Sequence, residues 1–297
     1  MTETIPPLNI IIPPEWNGRT VDSFLRQKML FSRTFIRQLK KTNGILVNEN
    51  PVWTNYRLQT TEQLKIIFQP ATQAIIPQSL PLDIIYEDPD LIVINKRPGM
   101  LVHPVHNQTE GTIANALLGY WQDRNSSASF HPVHRLDKLT SGLVLIAKSA
   151  WAHQQLALQL HDGTFHRLYL AICHGVPERL HSKITAPLKE TQYVMRREVA
   201  AEGKPSSTVY HVLKGFKTAS LVAVRILSGR THQIRVHFHH IGHSLWGDPL
   251  YGEDDPLFPR PALHATRVVF THPRTGKRVR LQVDLPEDIQ LLLSRFQ

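Results

Sequence analysis

The sequence predicts an α+β protein in which a mixed, largely antiparallel β-sheet is flanked by helices and is preceded by a small N-terminal domain with a helix-helix-strand pattern. Short apolar runs recur from Asp83 onward, and stretches with helical spacing lie between them in irregular order, which is typical of the α+β class. The sequence has no regular strand-helix alternation with a glycine-rich phosphate loop. A doubly wound nucleotide-binding fold and an ATP-dependent reaction are therefore not expected.

The N-terminal domain begins with two short predicted helices. The segment TVDSFLRQKM, residues 20–29, places three apolar residues at helical spacing, and SRTFIRQLKKTNG follows it. In the second segment Ser32 is the expected N-cap, and the Asn-Gly pair at residues 43–44 is a stop signal. The runs ILVNENPVW and EQLKIIFQ then predict short strands.

Four cations share one face of the second predicted helix. They lie at positions i, i+4, i+7 and i+8, and no acidic residue occurs between residues 23 and 48. Such a stripe is either a solvated helix face or a surface for a phosphate backbone, and the lack of compensating acids favours the second interpretation. The formal net charge of +10 also favours a polyanionic partner. The residues of this basic stripe are Arg33, Arg37, Lys40 and Lys41.

The pattern of two helices and a strand, with a basic second helix, resembles the alpha-L RNA-binding domain that is also found in a small-subunit ribosomal protein. The resemblance covers about residues 15–68. Residues 69–82 contain three prolines, which indicates a semi-rigid linker. We therefore predict an N-terminal domain over residues 1–68, tethered by this linker to a second domain over residues 83–297.

The second domain is predicted from alternating strand and helix signals. The closing helix carries its apolar residues at positions 289, 292, 293 and 296. The predicted strands contain LIVINK, LVLIA, YLAIC, LVAVRIL, RVVF and RVRLQVDL. The helices before the closing one contain GTIANALLGYW, AWAHQQLALQLH and THQIRVHFHHIG.

Composition excludes several classes of protein. No apolar run approaches the roughly 20 residues that span a bilayer, and the start of the chain lacks a basic region followed by an apolar one. A cytoplasmic protein without membrane association is expected. The single cysteine, Cys173, lies in an apolar stretch, so it is interpreted as a buried small residue and not as a nucleophile.

The segment HPVHRLDKLTSGLVLIAKS holds one carboxylate, Asp137, between Arg135 and Lys138 and just before a run that reads as a buried strand. A lone acid flanked by two cations fits a structural ion pair or an active site. Most ion pairs lie at the surface and contribute about 0 to 1 kcal/mol. The local sequence alone leaves both interpretations open.

Four separated segments decide between them: NKRPGMLVHP, the Asp137 segment, HRLYLAICHG and SGRTHQIRVHFHHIGHSLWGDPLYG. In this order they strongly resemble the RluA-type family of RNA pseudouridine synthases, over about residues 83–288. The resemblance implies isomerisation of uridine in RNA, in which the base is detached from its ribose, turned and rejoined through carbon. It implies no metal, nucleotide or redox cofactor.

The resemblance also implies roles for individual residues. Asp137 matches the catalytic aspartate, and whether it attacks the ribose or the uracil ring stays open. Arg235 matches the arginine that pairs with this carboxylate and favours its ionised form. Tyr169 matches a tyrosine that packs against the target base, although a core tyrosine is the simpler alternative. Arg135 is expected to fill the gap left by the flipped nucleotide or to contact a phosphate.

Two rival functions remain. The repeated HPVH runs and HFHH would suit a metal hydrolase, but neither HExxH nor CxxC occurs, so no metal site is expected. An RNA-binding or ribosome-assembly factor without catalysis is the other rival, and the presence of all three catalytic candidates argues against it. The expected partner is structured RNA, with ribosomal RNA favoured and transfer RNA second. The oligomeric state is not readable from the sequence.

Overall fold

The computed structural model describes residues 5–68, 74–191 and 196–297. It confirms the α+β class, because helices pack against sheets whose strand pairs are almost all antiparallel. Within those residues, the helices are too short or too polar to cross a membrane.

The N-terminal region, residues 5–68, contains a four-stranded sheet with two helices. The predicted N-cap of the second helix is confirmed, because the Ser32 hydroxyl accepts a hydrogen bond from Phe35 N–H. The first helix has a similar cap, in which the Thr20 hydroxyl accepts from Ser23 N–H. The first helix continues as a π-helical turn over Phe24–Lys28. The elements are β1 (Leu8–Ile11), α1 (Val21–Ser23), α2 (Arg33–Lys41), β2 (Ile45–Val47), β3 (Asn50–Pro51) and β4 (Gln63–Ile66). The strand order in the sheet is β1-β4-β2-β3.

The main region, residues 74–297, is built on a ten-stranded sheet. The strands of this region are β5 (Ile84–Glu87), β6 (Leu91–Lys96), β7 (His131–Pro132), β8 (Ser141–Ala147), β9 (His166–His174), β10 (His181–Thr185), β11 (Leu188–Glu190), β12 (Arg197–Val199), β13 (Ser207–Gly215), β14 (Ala219–Ile226), β15 (Leu263–Thr271) and β16 (Arg278–Gln282). In the main sheet, eight strands follow the order β10-β13-β14-β9-β15-β8-β6-β5, with β16 beside β15 and β7 beside β8. Strands β11 and β12 form a separate two-stranded sheet. The helices are α3 (Ile113–Gln122), α4 (Ala150–His161), α5 (Gln233–His240) and α6 (Glu287–Ser294).

The junction between β8 and β15 fixes the start of β8. These two strands pair in parallel, with Ser141 opposite His264 and Gly142 opposite Ala265. Gly142 has φ +112°, and a Cβ there would lie 2.3 Å from the Ala265 carbonyl oxygen, so only glycine fits this position. This close approach fixes the start of β8, and Asp137 lies in the turn that precedes this strand.

The N-terminal region packs against the main region, contrary to the expectation of a tethered domain. The Phe68 ring stacks on Trp151 with centroids 5.8 Å apart, and Phe35 stacks on Phe68 at 6.3 Å. The Gln155 side chain of α4 donates to the Met29 carbonyl at 3.1 Å. One hydrophobic cluster includes residues of both regions. Residues 69–73 of the predicted linker lie outside the described residues, and the division at residues 68 and 83 stays a prediction.

Candidate active site

Asp137 lies in the turn between β7 and β8. Its backbone carbonyl accepts a hydrogen bond from Thr140 N–H at 3.1 Å, and the neighbouring Leu136 side chain is buried in the core. The Asp137 side chain remains 24 % exposed. A buried residue before it and a hydrogen-bonded turn after it therefore present this carboxylate to solvent from a rigid frame.

Arg235 projects from α5 towards Asp137 but is held by another acid. Its Nη1 lies 3.6 Å from Asp137 Oδ2, whereas Nε and Nη2 each donate to the fully buried Asp248 carboxylate at 2.7 Å. Burial opposes the charge of Arg235, but the hydrogen bonds and charge of Asp248 outweigh it and raise the pKa of Arg235. Arg235 thus contacts two aspartates: it is hydrogen-bonded to Asp248 and also lies beside Asp137, as the sequence predicted.

The second group beside Asp137 is a histidine that the sequence did not single out. His232 is the residue before α5 and has φ +56°, a left-handed conformation that is uncommon for residues other than glycine. Its Nε2 lies 4.0 Å from Asp137 Oδ2. Arg235 and His232 thus flank the same carboxylate oxygen. No residue that the structure describes donates a hydrogen bond to either oxygen of this carboxylate, so the partly exposed side chain can still meet a substrate.

Hydrogen bonding defines the tautomer of His232. Burial lowers the pKa of His232 against the opposing charge of Asp137, so the ring is neutral at pH 7. The Tyr251 hydroxyl accepts from Arg197 N–H at 2.8 Å and lies 3.0 Å from His232 Nδ1. When this hydroxyl donates to Nδ1, the imidazole proton is on Nε2 and faces Asp137.

Removal of the Tyr251 hydroxyl is therefore expected to weaken catalysis. Tyr251→Phe keeps the ring beside Arg235 but removes the hydroxyl that fixes the tautomer of His232. We expect the single-turnover rate at saturating RNA to fall about tenfold, or about 1.4 kcal/mol in barrier height, with unchanged RNA affinity.

The control for this prediction is Tyr56→Phe, which removes a hydroxyl that bonds Glu62 in the N-terminal region and should leave the rate unchanged. Combining Tyr251→Phe with His232→Gln should add little to the His232→Gln effect, because both changes act through one contact. Fully additive losses would contradict this connection.

Tyr169 lies in the middle of β9, opposite Val224 of β14 and Ala265 of β15. Its side chain is 4 % exposed and belongs to the hydrophobic core. Burial raises the pKa of Tyr169, with a further rise from the charge of Asp137 against a lowering by Arg167, so the hydroxyl is protonated at pH 7. Tyr169 therefore lies within electrostatic reach of Asp137 as a neutral, apolar-faced ring.

Arg135 lies at the rim of this site. Its side chain is exposed, and its Nη1 lies 3.4 Å from His103 Nε2. An exposed guanidinium two residues from Asp137 can reach an RNA strand that enters the site. The basic stripe lies elsewhere, on the exposed face of α2, and does not join this cluster.

Lys96 is a further residue near Asp137 that the sequence did not identify. It is almost fully buried at the end of β6, and its ammonium group donates to the carbonyls of Arg97, Met100 and Lys138 at 2.9 to 3.0 Å. Burial lowers the pKa of Lys96 to about 7, with Asp137 opposing the shift. Lys96 thereby ties the loop after β6 to the residue that follows Asp137.

The histidine runs that suggested a metal hydrolase do not come together. His134 is buried and accepts from Leu145 N–H at 3.3 Å, and burial lowers its pKa to about 3. Among the described residues, the one group with suitable metal-ligand spacing is Asp88, Asp90 and His272, which includes no histidine of these runs. Arg274 already holds the Asp90 carboxylate at 2.6 and 2.7 Å.

Asp137 thus offers a partly exposed carboxylate that is flanked by a buried guanidinium and a neutral imidazole and lies close to a buried tyrosine. The chain that carries this arrangement also matches a known family. Residues 90–240 match the family model described as RNA pseudouridylate synthase. This chain belongs to that family. It is an isomerase that acts on RNA, and residues 8–64 match the N-terminal domain of the RluD ribosomal pseudouridine synthase.

Individual relatives agree with this assignment. An uncharacterized RNA pseudouridine synthase of Bacillus subtilis (strain 168), YlyB, is 36% identical over 98% of each chain. The ribosomal large subunit pseudouridine synthase D of Zymomonas mobilis is 42% identical over 73% of this chain and 74% of its own. The solved structure of human RNA pseudouridylate synthase domain containing 4 has a TM-score of 0.59 at 22% identity, over 72% of this chain and 92% of its own, and shows the same fold.

The missed residues had a sequence signal. His232, Asp248 and Tyr251 all lie in the segment SGRTHQIRVHFHHIGHSLWGDPLYG, which carries the family resemblance and supplied only Arg235. An acid, a histidine and a tyrosine within 20 residues of that arginine were candidates for its partners. Their roles depend on contacts that no spacing rule predicts.

Proposed function

We propose that this enzyme converts specific uridines of large-subunit ribosomal RNA to pseudouridine in the cytoplasm, with Asp137 as the catalytic carboxylate. The observation that carries the role of Asp137 is its geometry: its carboxylate stays partly exposed while Arg235 and His232 flank one of its oxygens, Oδ2. Relatives named ribosomal large subunit pseudouridine synthase D, at 33% to 42% identity, support ribosomal RNA as the substrate. Transfer RNA is the alternative substrate.

The reaction requires one bond to break and another to form on the same nucleotide. The bond from the ribose C1′ to uracil N1 breaks, the base turns, and C1′ bonds to C5. The hydrogen on C5 then leaves as a proton, and N1 takes up a proton. Product and substrate are isomers, so the balance needs no redox partner or group donor. Asp137 stabilises or attacks the electron-poor centre, and the Arg235 guanidinium, 3.6 Å from Oδ2, balances the negative charge of the carboxylate.

Tyr169 and Arg135 support substrate binding in this proposal. The Tyr169 ring offers a flat apolar surface to a uracil that enters the site. Arg135, which is exposed at the rim, occupies the space that the flipped nucleotide leaves or holds an adjacent phosphate.

The experiment that tests the substrate is a transcriptome-wide map of pseudouridine in cells with and without the gene. Loss of signal at one or a few positions of large-subunit ribosomal RNA is the expected result. Loss confined to transfer RNA would replace the substrate assignment, and no loss at any position would contradict the proposed activity.

The basic stripe on α2 is expected to hold RNA backbone. All four side chains are exposed, and none pairs with a carboxylate among the described residues. For Arg37→Gln with Lys40→Gln, two lost phosphate contacts should reduce the slope of log affinity against log salt by about 1.4 to 1.8 units. The rate at saturating RNA should stay the same, because these contacts are equal in ground and transition states.

Two matched changes control for net charge. Lys204→Gln with Lys217→Gln removes the same charge from exposed loop positions, and should leave the slope near that of the wild type. An α2 variant with an unchanged slope would show that the stripe is a solvated helix face.

A further inference from the structure

The back of the main sheet is a second basic surface. Successive residues of a strand point to opposite faces, so Leu168 of β9 lies on the face opposite to Tyr169. The register joins Leu168 to Arg225 of β14 on one side and to Arg267 of β15 on the other. Arg225 and Arg267 therefore share the face of the sheet that points away from Asp137 and Tyr169.

The same register extends this face across six strands. Lys183 of β10 lies opposite Val209 of β13, which lies opposite Arg225. Gln282 of β16 lies opposite Arg267 and accepts hydrogen bonds from it. With strands about 4.8 Å apart, alternate strands place a cation at intervals of about 10 Å. We call this surface the back face: Lys183, Arg225, Arg267, Arg278, Arg280 and His166.

The remaining members lie in the neighbouring rows. Arg280 is opposite Val269 and Arg278 opposite Thr271, and His166 is also opposite Val269. Burial and the charges of Arg278 and Arg225 lower the pKa of His166, which agrees with the closeness of these cations.

The charge of the back face is not compensated. The six strands β9, β10, β13, β14, β15 and β16 contain no Asp or Glu. None of the five Lys and Arg residues pairs with a carboxylate among the residues that the structure describes. Unpaired like charges repel one another, so such a surface is stabilised when an anion covers it.

Part of the sheet back is already covered by the protein. At the other end of β9 and β14, Ile172 and Leu221 pack under α6 with Ile289 and Leu292. The cationic end lies beyond this cover, with Lys183, Arg225, Arg278 and Arg280 exposed. The open part of the face therefore differs in chemistry from the part that α6 buries.

We propose that the back face binds the phosphate backbone of a second segment of the same folded RNA, which makes the substrate an extended RNA and not an isolated stem-loop. This inference rests on the proposed function, because it assigns a further contact to the RNA that Asp137 modifies. Arginine guanidinium groups suit phosphate geometry, and none of the six residues that define the back face is a Phe, Tyr or Trp on which bases could stack. The back face is therefore expected to bind the phosphate backbone without distinguishing between base sequences.

The sheet itself separates the back face from Asp137. A short stem-loop seated at Asp137 lies on the front of the sheet, so its backbone does not reach the back. An RNA with a second helix that folds around the edge of the sheet can contact both. The back face thus adds affinity for large folded RNA only.

The test compares two RNA probes with two charge-matched variants. The probes are a transcript of a whole domain of large-subunit ribosomal RNA and a single stem-loop cut from it. For Arg225→Gln with Arg280→Gln, the salt slope of binding should fall by about 1.4 to 1.8 units on the long transcript, and should not change on the stem-loop. Lys204→Gln with Lys217→Gln is the control and should leave both slopes unchanged.

Equal salt slopes for wild type and the back-face variant on the long transcript would overturn the inference and leave an acidic protein segment as the alternative occupant. A similar fall on both probes would also overturn it, because the effect would then be long-range charge alone. Binding is measured with unmodified RNA and needs no turnover. Failure of the proposed function, seen as no pseudouridine formed by the wild-type enzyme, is thus distinguishable from failure of this inference.

Discussion

Asp137→Asn should abolish pseudouridine formation while RNA binding persists. The amide keeps the shape of the side chain in its hydrogen-bonded turn but loses the negative charge and nearly all nucleophilicity. We expect the single-turnover rate at saturating RNA to fall by at least about a thousandfold. The measurement is tritium release or mass detection of pseudouridine over a time course.

Asp284→Asn, which makes the same charge change at an exposed position, is the control and should retain full activity. A rate for Asp137→Asn within about tenfold of the wild type would remove Asp137 from the chemistry, since a catalytic carboxylate contributes far more than that.

Arg235→Met should lower both stability and rate, and the larger effect on stability should come from Asp248. Asp248 is fully buried, and Arg235 is its bidentate partner. Removing one member of a buried pair leaves the other uncompensated, at a cost of about 3 to 5 kcal/mol and roughly 10 °C in Tm. The rate at saturating RNA should also fall, because Asp137 Oδ2 loses its nearest cation.

Two further variants separate stability from catalysis. Arg235→Met with Asp248→Asn removes both charges and keeps an oxygen that accepts from Leu250 and Tyr251 N–H, and should regain most of the lost Tm without regaining the rate. Arg274→Met breaks another bidentate pair, with the buried Asp90, and should cost stability with little loss of rate. A Tm for Arg235→Met within about 1 °C of the wild type would contradict the role assigned to the pair.

The elements with strong local signals were predictable. Ser32 and the helix after it, the apolar strands β6 and β8, and α3 to α6 all lie where sequence patterns indicated. The strands β10 and β13 were missed, because HSKIT and STVYHVLKG carry polar and cationic residues on their open face and lack a continuous apolar run. Strand β1 was missed because two prolines flank it closely on each side.

The candidate site was predictable only as far as single residues carry the family resemblance. The structure brings Asp137 and Arg235 to 3.6 Å, and their proposed roles await the experiments above. The partnership of Arg235 with Asp248 could not be foreseen, because burial of an aspartate depends on the whole fold. Likewise, the packing of Phe68 against Trp151 depends on how the two regions dock. The proline-rich segment between them does not indicate whether they are in contact.

The stacked rings that join the N-terminal region to α4 have a consequence for target choice. Because Phe35, Phe68 and Trp151 form a continuous stack, α2 cannot swing freely around Asp137. If α2 holds one part of the RNA backbone, only a nucleotide at a fixed distance from that part can reach Asp137. The enzyme would then select a uridine by its distance, in the folded RNA, from the backbone that α2 holds. It would need few contacts with the neighbouring bases.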